Sequence, residues 1–250
     1  MTEKPLDSKA AQEELEQRCR NFDENYGPIR ERAERAAEKS GRKGSDVILL
    51  AATKTVPAPV INHAIEKGLS HIGENRVQEY LSKFDDLHLE GVARHFIGHL
   101  QTNKVKSIVD KVDMIESVDS LHLAAAIGRE AVKLGKSMPI LIEVNIGGEA
   151  NKSGVSPAAL EETVGQIAQI EGVQIQGLMA IPPICDTEKE IRQYFEQMQQ
   201  LFIDIGAKKI DNSHMVYLSM GMSGDFEAAI ESGANLVRIG TALFGRRQYV

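Results

Sequence analysis

Hydrophobic positions along the chain fall into short apolar runs separated by stretches with helical spacing. The first run, Val47-Ile48-Leu49-Leu50-Ala51-Ala52, lies between Gly44-Ser45-Asp46 and Pro57 and reads as a strand buried on both faces. With that segment taken as 47–54, further strands are predicted at 71–75, 94–98, 114–118, 139–145, 173–181, 217–221 and 235–240. The gaps carry amphipathic helical patterns such as Val60-Ile61-Ala64-Ile65 and Leu121-Ala124-Ala125-Ile127-Ala131. Strands alternating with helices predict a parallel sheet, and eight such units predict a single closed (β/α)8 barrel. An open doubly wound sheet is the competing arrangement, but no Gly-x-Gly-x-x-Gly turn follows the first strand.

Before the barrel, residues 8 to about 40 are charged and helical in character. Gly27-Pro28 predicts a break there, with Pro28 in the first turn of a second helix and Gly41 as its stop. Ile29, Ala33, Ala36 and Ala37 give that second helix a narrow apolar face. The first helix has Leu15 as nearly its only large apolar residue and reads as a loosely held addition. The expected division is an N-terminal helical extension over 1–45 and a barrel over 46–250, with no linker inside the latter.

Composition narrows the function classes. With 42% hydrophobic and 26% charged residues over 250, the chain is an ordinary globular one. A net charge of −7 without a dense basic run argues against nucleic acid. Cys19 and Cys185 match no metal or redox spacing, which points to a reducing cytoplasm. No run of about 18 apolar residues and no apolar leader occurs, so neither membrane insertion nor secretion is expected.

The strand ends carry the chemistry, because in such a barrel they converge on one mouth. Lys54 sits where the first strand emerges. An ammonium group there loses hydration, which favours the free amine that attacks carbonyls, although a lone strand-end lysine is more often solvated. The other ends offer Glu74-Asn75-Arg76, His99, Gln101, Asn103, Ser117, Glu143, Asn145, Met179, Ser219 to Ser223 and Arg238 to Thr241. Asn75, Asn103 and Asn145 fit either ligand contacts or turns.

The last two segments stand where barrels bind phosphate. Ser223 alone also reads as a helix N-cap. Arg238 interrupts an apolar run, and a buried guanidinium is costly unless paired. A carboxylate such as Glu143 would satisfy it, and so would a ligand's ring nitrogen or phosphate. His95 and His99 flank a strand end and share no helical face, so a metal pair is not expected. A lysine nucleophile opposite a phosphate clamp suggests a phosphorylated carbonyl compound. It would be a sugar phosphate in an aldolase or lyase, or pyridoxal 5′-phosphate (PLP), and the arginine favours PLP.

These segments resemble the PLP homeostasis proteins, which are themselves similar to the N-terminal barrel of alanine racemases. The resemblance is carried by Ala51-Ala52-Thr53-Lys54-Thr55, by 73–79, by 95–104, by Gly177-Leu178-Met179, by 218–223 and by 237–245, in order. It implies a Schiff base between PLP and Lys54, phosphate contacts from Ser219, Ser223, Gly240 and Thr241, and Arg238 near the pyridine nitrogen. Asn75 and Met222 complete the cofactor-contact candidates. Thr53 stands where many members carry serine.

The resemblance also implies a role in buffering or releasing PLP by transimination, without established catalytic turnover. PLP-dependent apoenzymes and free amino acids are the expected recipients. A PLP-dependent amino-acid racemase of low activity is the alternative. Racemase chemistry needs a tyrosine from a separate C-terminal domain, whereas this chain ends five residues after Gly245, and none of Tyr26, Tyr80, Tyr194, Tyr217 and Tyr249 falls at a predicted strand end. Without that domain a monomer is expected.

Overall fold

Eight parallel strands close on themselves in sequence order in the computed structural model, which describes residues 8–245. They are β1 Ile48–Ala52, β2 His71–Glu74, β3 Ala93–Phe96, β4 Met114–Val118, β5 Met138–Val144, β6 Val173–Ala180, β7 Ser213–Met222 and β8 Leu236–Ile239. The seam is a regular parallel ladder running from Ile48↔Leu236 to Ala51↔Ile239. All eight predicted strands are present. β7 starts at Ser213, ahead of the predicted 217, because its first residues alternate between half-buried and exposed and show no apolar run.

Around the barrel lie α1 Ser8–Lys39, α2 Ala58–Glu66, α3 Val77–Lys83, α4 Val105–Ile108, α5 Leu121–Lys133, α6 Leu160–Ile167, α7 Glu188–Ala207, α8 Phe226–Glu231 and α9 Thr241–Phe244. The period-two alternation of strands divides the apolar residues into two layers. Ala51, Ile72, Phe96, Ile115, Ile142, Leu178 and Val237 face outward and pack against the helices. Leu50, Ile97 and Leu236 fill the interior with Ile48 and Ala52, next to a second interior group of Met114, Leu141 and Met179. Tyr217 touches both groups. Since Ile48, Leu50 and Ala52 point inward, Lys54 continues the inward row as the chain leaves β1.

The N-terminal region departs from expectation. It forms one helix with Pro28 inside it, where two helices were predicted. A proline mid-helix removes one hydrogen bond and crowds its neighbours. Here the preceding residue is Gly27, which has no Cβ to meet the proline ring, so the helical conformation survives. Packing holds the halves in line. Phe22, Ile29, Ala33, Ala36 and Ala37 are buried, and Leu15, Cys19 and Tyr26 pack on the same cluster, giving one stripe at helical spacing through the proline. The first half is therefore not loosely held: Phe22 is fully buried and stacks on Phe244 at 5.6 Å.

Candidate functional site

After Ala52 the chain makes a tight turn, closed by the Val56 amide donating to Thr53 O at 3.0 Å. Thr55 within it has φ 60°. A β-branched residue in the left-handed region is strained and persists only where its surroundings over-determine it. Several groups do so. Lys83 Nζ donates to Thr53 O at 3.0 Å and Val56 O at 3.2 Å, and pairs with Glu74 Oε1 at 2.8 Å. The Thr53 hydroxyl donates to the same Glu74 oxygen at 2.5 Å. The Thr55 amide donates to Glu79, and Arg18 Nη1 donates to Thr55 O at 2.8 Å.

Glu74 and Glu79 thus hold the Lys54 turn from behind. Glu74 was expected among the mouth residues. It instead faces outward to α3, because Gly73 takes the inward position, where an added Cβ would collide with Leu50 and Ile97. Burial pushes the Glu74 carboxyl above its ordinary value, opposed by Lys83 and the Thr53 hydroxyl.

Lys54 is exposed at the mouth. It shares one cleft with Ala52, Thr55, Gly240 and Thr241, walled further by Arg18, Phe244 and Gly245. Ser223 belongs to the same rim: its hydroxyl oxygen accepts from the Gly240 and Ala242 amides, each at 3.2 Å. Asp225, not Ser223, occupies the N-cap position of α8. Met222, 39% exposed, ends β7 in register with Arg238, and its amide donates to Asp225 Oδ1 at 2.6 Å.

Beneath the mouth the interior is charged. Arg238 Nη2 donates to Ala180 O at 2.9 Å, and Nη1 donates to Ser219 Oγ at 2.5 Å. The Ser219 hydroxyl donates to Glu116 Oε2 at 2.5 Å, and the other oxygen, Oε1, lies 2.6 Å from His95 Nδ1. Glu116 and Arg238 are themselves 3.9 Å apart. Burial pushes the Glu116 carboxyl up, but His95, Arg238 and the Ser219 hydroxyl outweigh it and hold it below the ordinary glutamate value. Burial lowers Arg238, whose guanidinium remains charged because its ordinary value is so high.

The carboxylate hydrogen-bonded into Arg238's network is therefore Glu116 on β4, not Glu143. Glu143 acts on Arg238 through its charge alone, and its own carboxyl is pushed up by burial and by Asp119. Glu116 carries the signal that singled out Arg238, a charge inside an apolar strand, and went unread.

Other strand-end candidates scatter. Ser117 donates to Gly98 O at 2.5 Å, inside the wall. Asn145 organises its own loop, donating to Glu149 O and accepting from the Glu149 amide. Arg76, Gln101 and Asn103 are exposed, and Met179 is buried in the interior. His99 lies against Asp119 and Ser153. Asn75 is different: its Oδ1 is buried without a hydrogen-bond partner among the described residues.

The eight-stranded parallel barrel is of the alanine racemase N-terminal type: the model of that domain family matches residues 25–248. Closer relatives narrow the class. The pyridoxal phosphate homeostasis protein of Aquifex aeolicus is 44% identical over 229 residues, covering 92% of this chain and all of the relative. That of Escherichia coli K12 is 37% identical, covering 90% and 96%. The chain belongs to this family of pyridoxal phosphate homeostasis proteins. Among solved structures, PipY of Synechococcus elongatus with PLP bound superposes with a TM-score of 0.75 at 35% identity, covering 84% of this chain and all of PipY. Alanine racemase from Corynebacterium glutamicum, at 14% identity and a TM-score of 0.68, shares the fold.

Proposed function

We propose that this chain binds PLP in the barrel mouth and serves its homeostasis, with Lys54 as the residue that holds the cofactor. The observation that carries the reading is the shared cleft: Lys54 and the Gly240–Thr241 segment wall it together, above the buried Arg238. The PLP-bound structure of PipY supports it. The donor set fits the group. Arg238 offers only hydrogen-bond donors toward a ring nitrogen, Asn75 keeps a buried polar atom to spare, and Ser223, Gly240 and Thr241 offer hydroxyls and amides toward a phosphate.

PLP supplies an aldehyde that condenses with a primary amine as a Schiff base, and Lys54 is the amine positioned for it. The chain's own groups then divide the work. The Thr53–Val56 turn presents Lys54, Ser223 gathers the amides at the phosphate end, and Ser219 acts through Arg238. Glu116 keeps the guanidinium in place.

Holding and release are favoured over two-sided proton transfer, because the described tyrosines are engaged away from the cleft. Tyr26 OH donates to Gly68 O and Tyr80 OH to Lys111 O, Tyr194 on α7 packs against the core between barrel and helices, and Tyr217 lies in the interior. Tyr249 lies outside the described residues. On this reading residues 46–250 are the PLP-binding unit and 1–45 an extension packed on it. The chain works as a monomer in the cytoplasm, with PLP-dependent apoenzymes or free amino acids as recipients. No helix among the described residues is long and apolar enough to cross a membrane.

The test is the visible spectrum after incubation with PLP. The wild type is expected to turn yellow, with a band abolished by borohydride and missing in Lys54→Ala. A colourless wild type overturns the reading, and turnover of L-alanine above about 1 per second would replace the carrier by a racemase.

A further inference from the structure

The alanine racemase N-terminal domain model matches from residue 25, and Arg18, Asn21 and Phe22, upstream of that match, all reach the walls of the Lys54 cleft. Arg18 Nη1 donates to Thr55 O at 2.8 Å, on the turn that presents Lys54. Asn21 Nδ2 donates to Phe244 O at 3.3 Å at the end of α9, which forms the opposite wall. Phe22 is fully buried and stacks on Phe244 at 5.6 Å and on Tyr26 at 4.8 Å. One helix therefore ties both walls of the cleft, and its guanidinium fixes the carbonyl of the one strained residue in it. Without that bond the Thr55 carbonyl loses a charge-assisted partner, and the left-handed conformation loses one of the contacts that offset its cost.

We propose that Arg18 is a positioning residue for the cofactor site. By gripping the Thr55 carbonyl it keeps the Lys54 turn in its strained conformation, and the N-terminal half of α1 thereby sets how long bound PLP is retained. The inference rests on the PLP-binding reading above. It assigns a function to a segment upstream of the residues that the alanine racemase N-terminal domain model matches.

The experiment loads the full-length protein with PLP and follows its release with a phosphatase that consumes only the free cofactor. Arg18→Gln is expected to release PLP about tenfold faster, equivalent to ~1.4 kcal/mol, with Arg18→Lys intermediate because it retains one charged donor. A Thr55→Gly background separates positioning from general support. Glycine adopts the left-handed conformation without strain, so Arg18→Gln should there speed release less than about twofold, a coupling that independent sites do not show.

Release unchanged by Arg18→Gln, or raised by the same factor in both backgrounds, overturns the inference. If Arg18→Gln fails to fold, the Arg18→Lys pair in the two backgrounds decides by the same coupling. A wild type that takes up no PLP overturns the binding reading as well. A yellow wild type with unchanged release overturns this inference alone.

Discussion

Arg238 and Glu116 meet at 3.9 Å inside the barrel from strands on opposite sides of it, and the Ser219 hydroxyl closes the pair. Neither charge reaches solvent, Glu116 being fully buried and Arg238 4% exposed. A buried pair of this kind contributes little net stability relative to apolar residues, but losing one partner is costly. Its value lies in what it holds still: a guanidinium that can only donate, fixed below the mouth.

Removing Glu116 should expose that cost. Glu116→Leu strands Arg238 and is expected to destabilise the protein by about 3–5 kcal/mol. Ser219→Ala removes the bridging hydroxyl and should cost about 1–3 kcal/mol. The double variant should lose clearly less than the sum, because both changes disrupt one network. Urea unfolding of the four proteins measures this, and strict additivity would show that the network is not a unit.

Acid sensitivity follows from the same carboxyl. Its folded value lies below the unfolded one of about 4.3, so at low pH the unfolded state binds more protons and stability rises with pH. The contribution is complete above the unfolded value and is lost as pH falls through the folded one. Glu116→Gln should therefore show a shallower loss of stability than wild type as pH is lowered from about 6 to 3. Parallel slopes in urea midpoints against pH would contradict the assignment.

Lys83 is the corresponding anchor behind Lys54. Lys83→Met leaves Glu74 buried without its cation and frees two carbonyls of the turn, an expected loss of about 3–5 kcal/mol. Adding Glu74→Leu should restore most of the stability, since the stranded charge is gone. The PLP band should remain weak in the double variant, because the turn still lacks its clamp. Thermal melts and absorbance titrations on the same samples separate these effects. A double variant with a full-strength band would mean the clamp does not position Lys54.

These two anchors also mark where the sequence stopped being readable. The strands were legible from the alternation of short, largely apolar segments with helical patterns, and Arg238 stood out because it broke an apolar run. Glu116 breaks β4 in the same manner, yet pairing across a barrel joins strands far apart in sequence, so nothing local names the partner. Strand ends were taken to face the mouth, but alternation turns Glu74 outward once Gly73 has turned inward. Gly27-Pro28 predicted a break, with Pro28 opening a second helix, because the local preference of proline is strong. The stripe from Leu15 through Phe22 to Ala36 overrode it, with Gly27 removing the steric objection.

The two serines that the family resemblance places together at the phosphate end should behave differently. The Ser223 oxygen accepts from two backbone amides, which leaves its own proton for a ligand oxygen. Ser223→Ala removes one hydrogen bond to a charged group, worth about 1.5–3 kcal/mol, and should weaken PLP binding about tenfold to a hundredfold. The Ser219 proton is already committed to Glu116, and its oxygen accepts from Arg238. Ser219→Ala should hold PLP affinity within about threefold, less than ~0.7 kcal/mol, while shifting the visible band of the loaded protein through Arg238. Titrating both variants with PLP distinguishes the roles. If Ser219→Ala weakens binding as much as Ser223→Ala does, Ser219 contacts the phosphate directly and the division between an anion rim and an interior charge network fails.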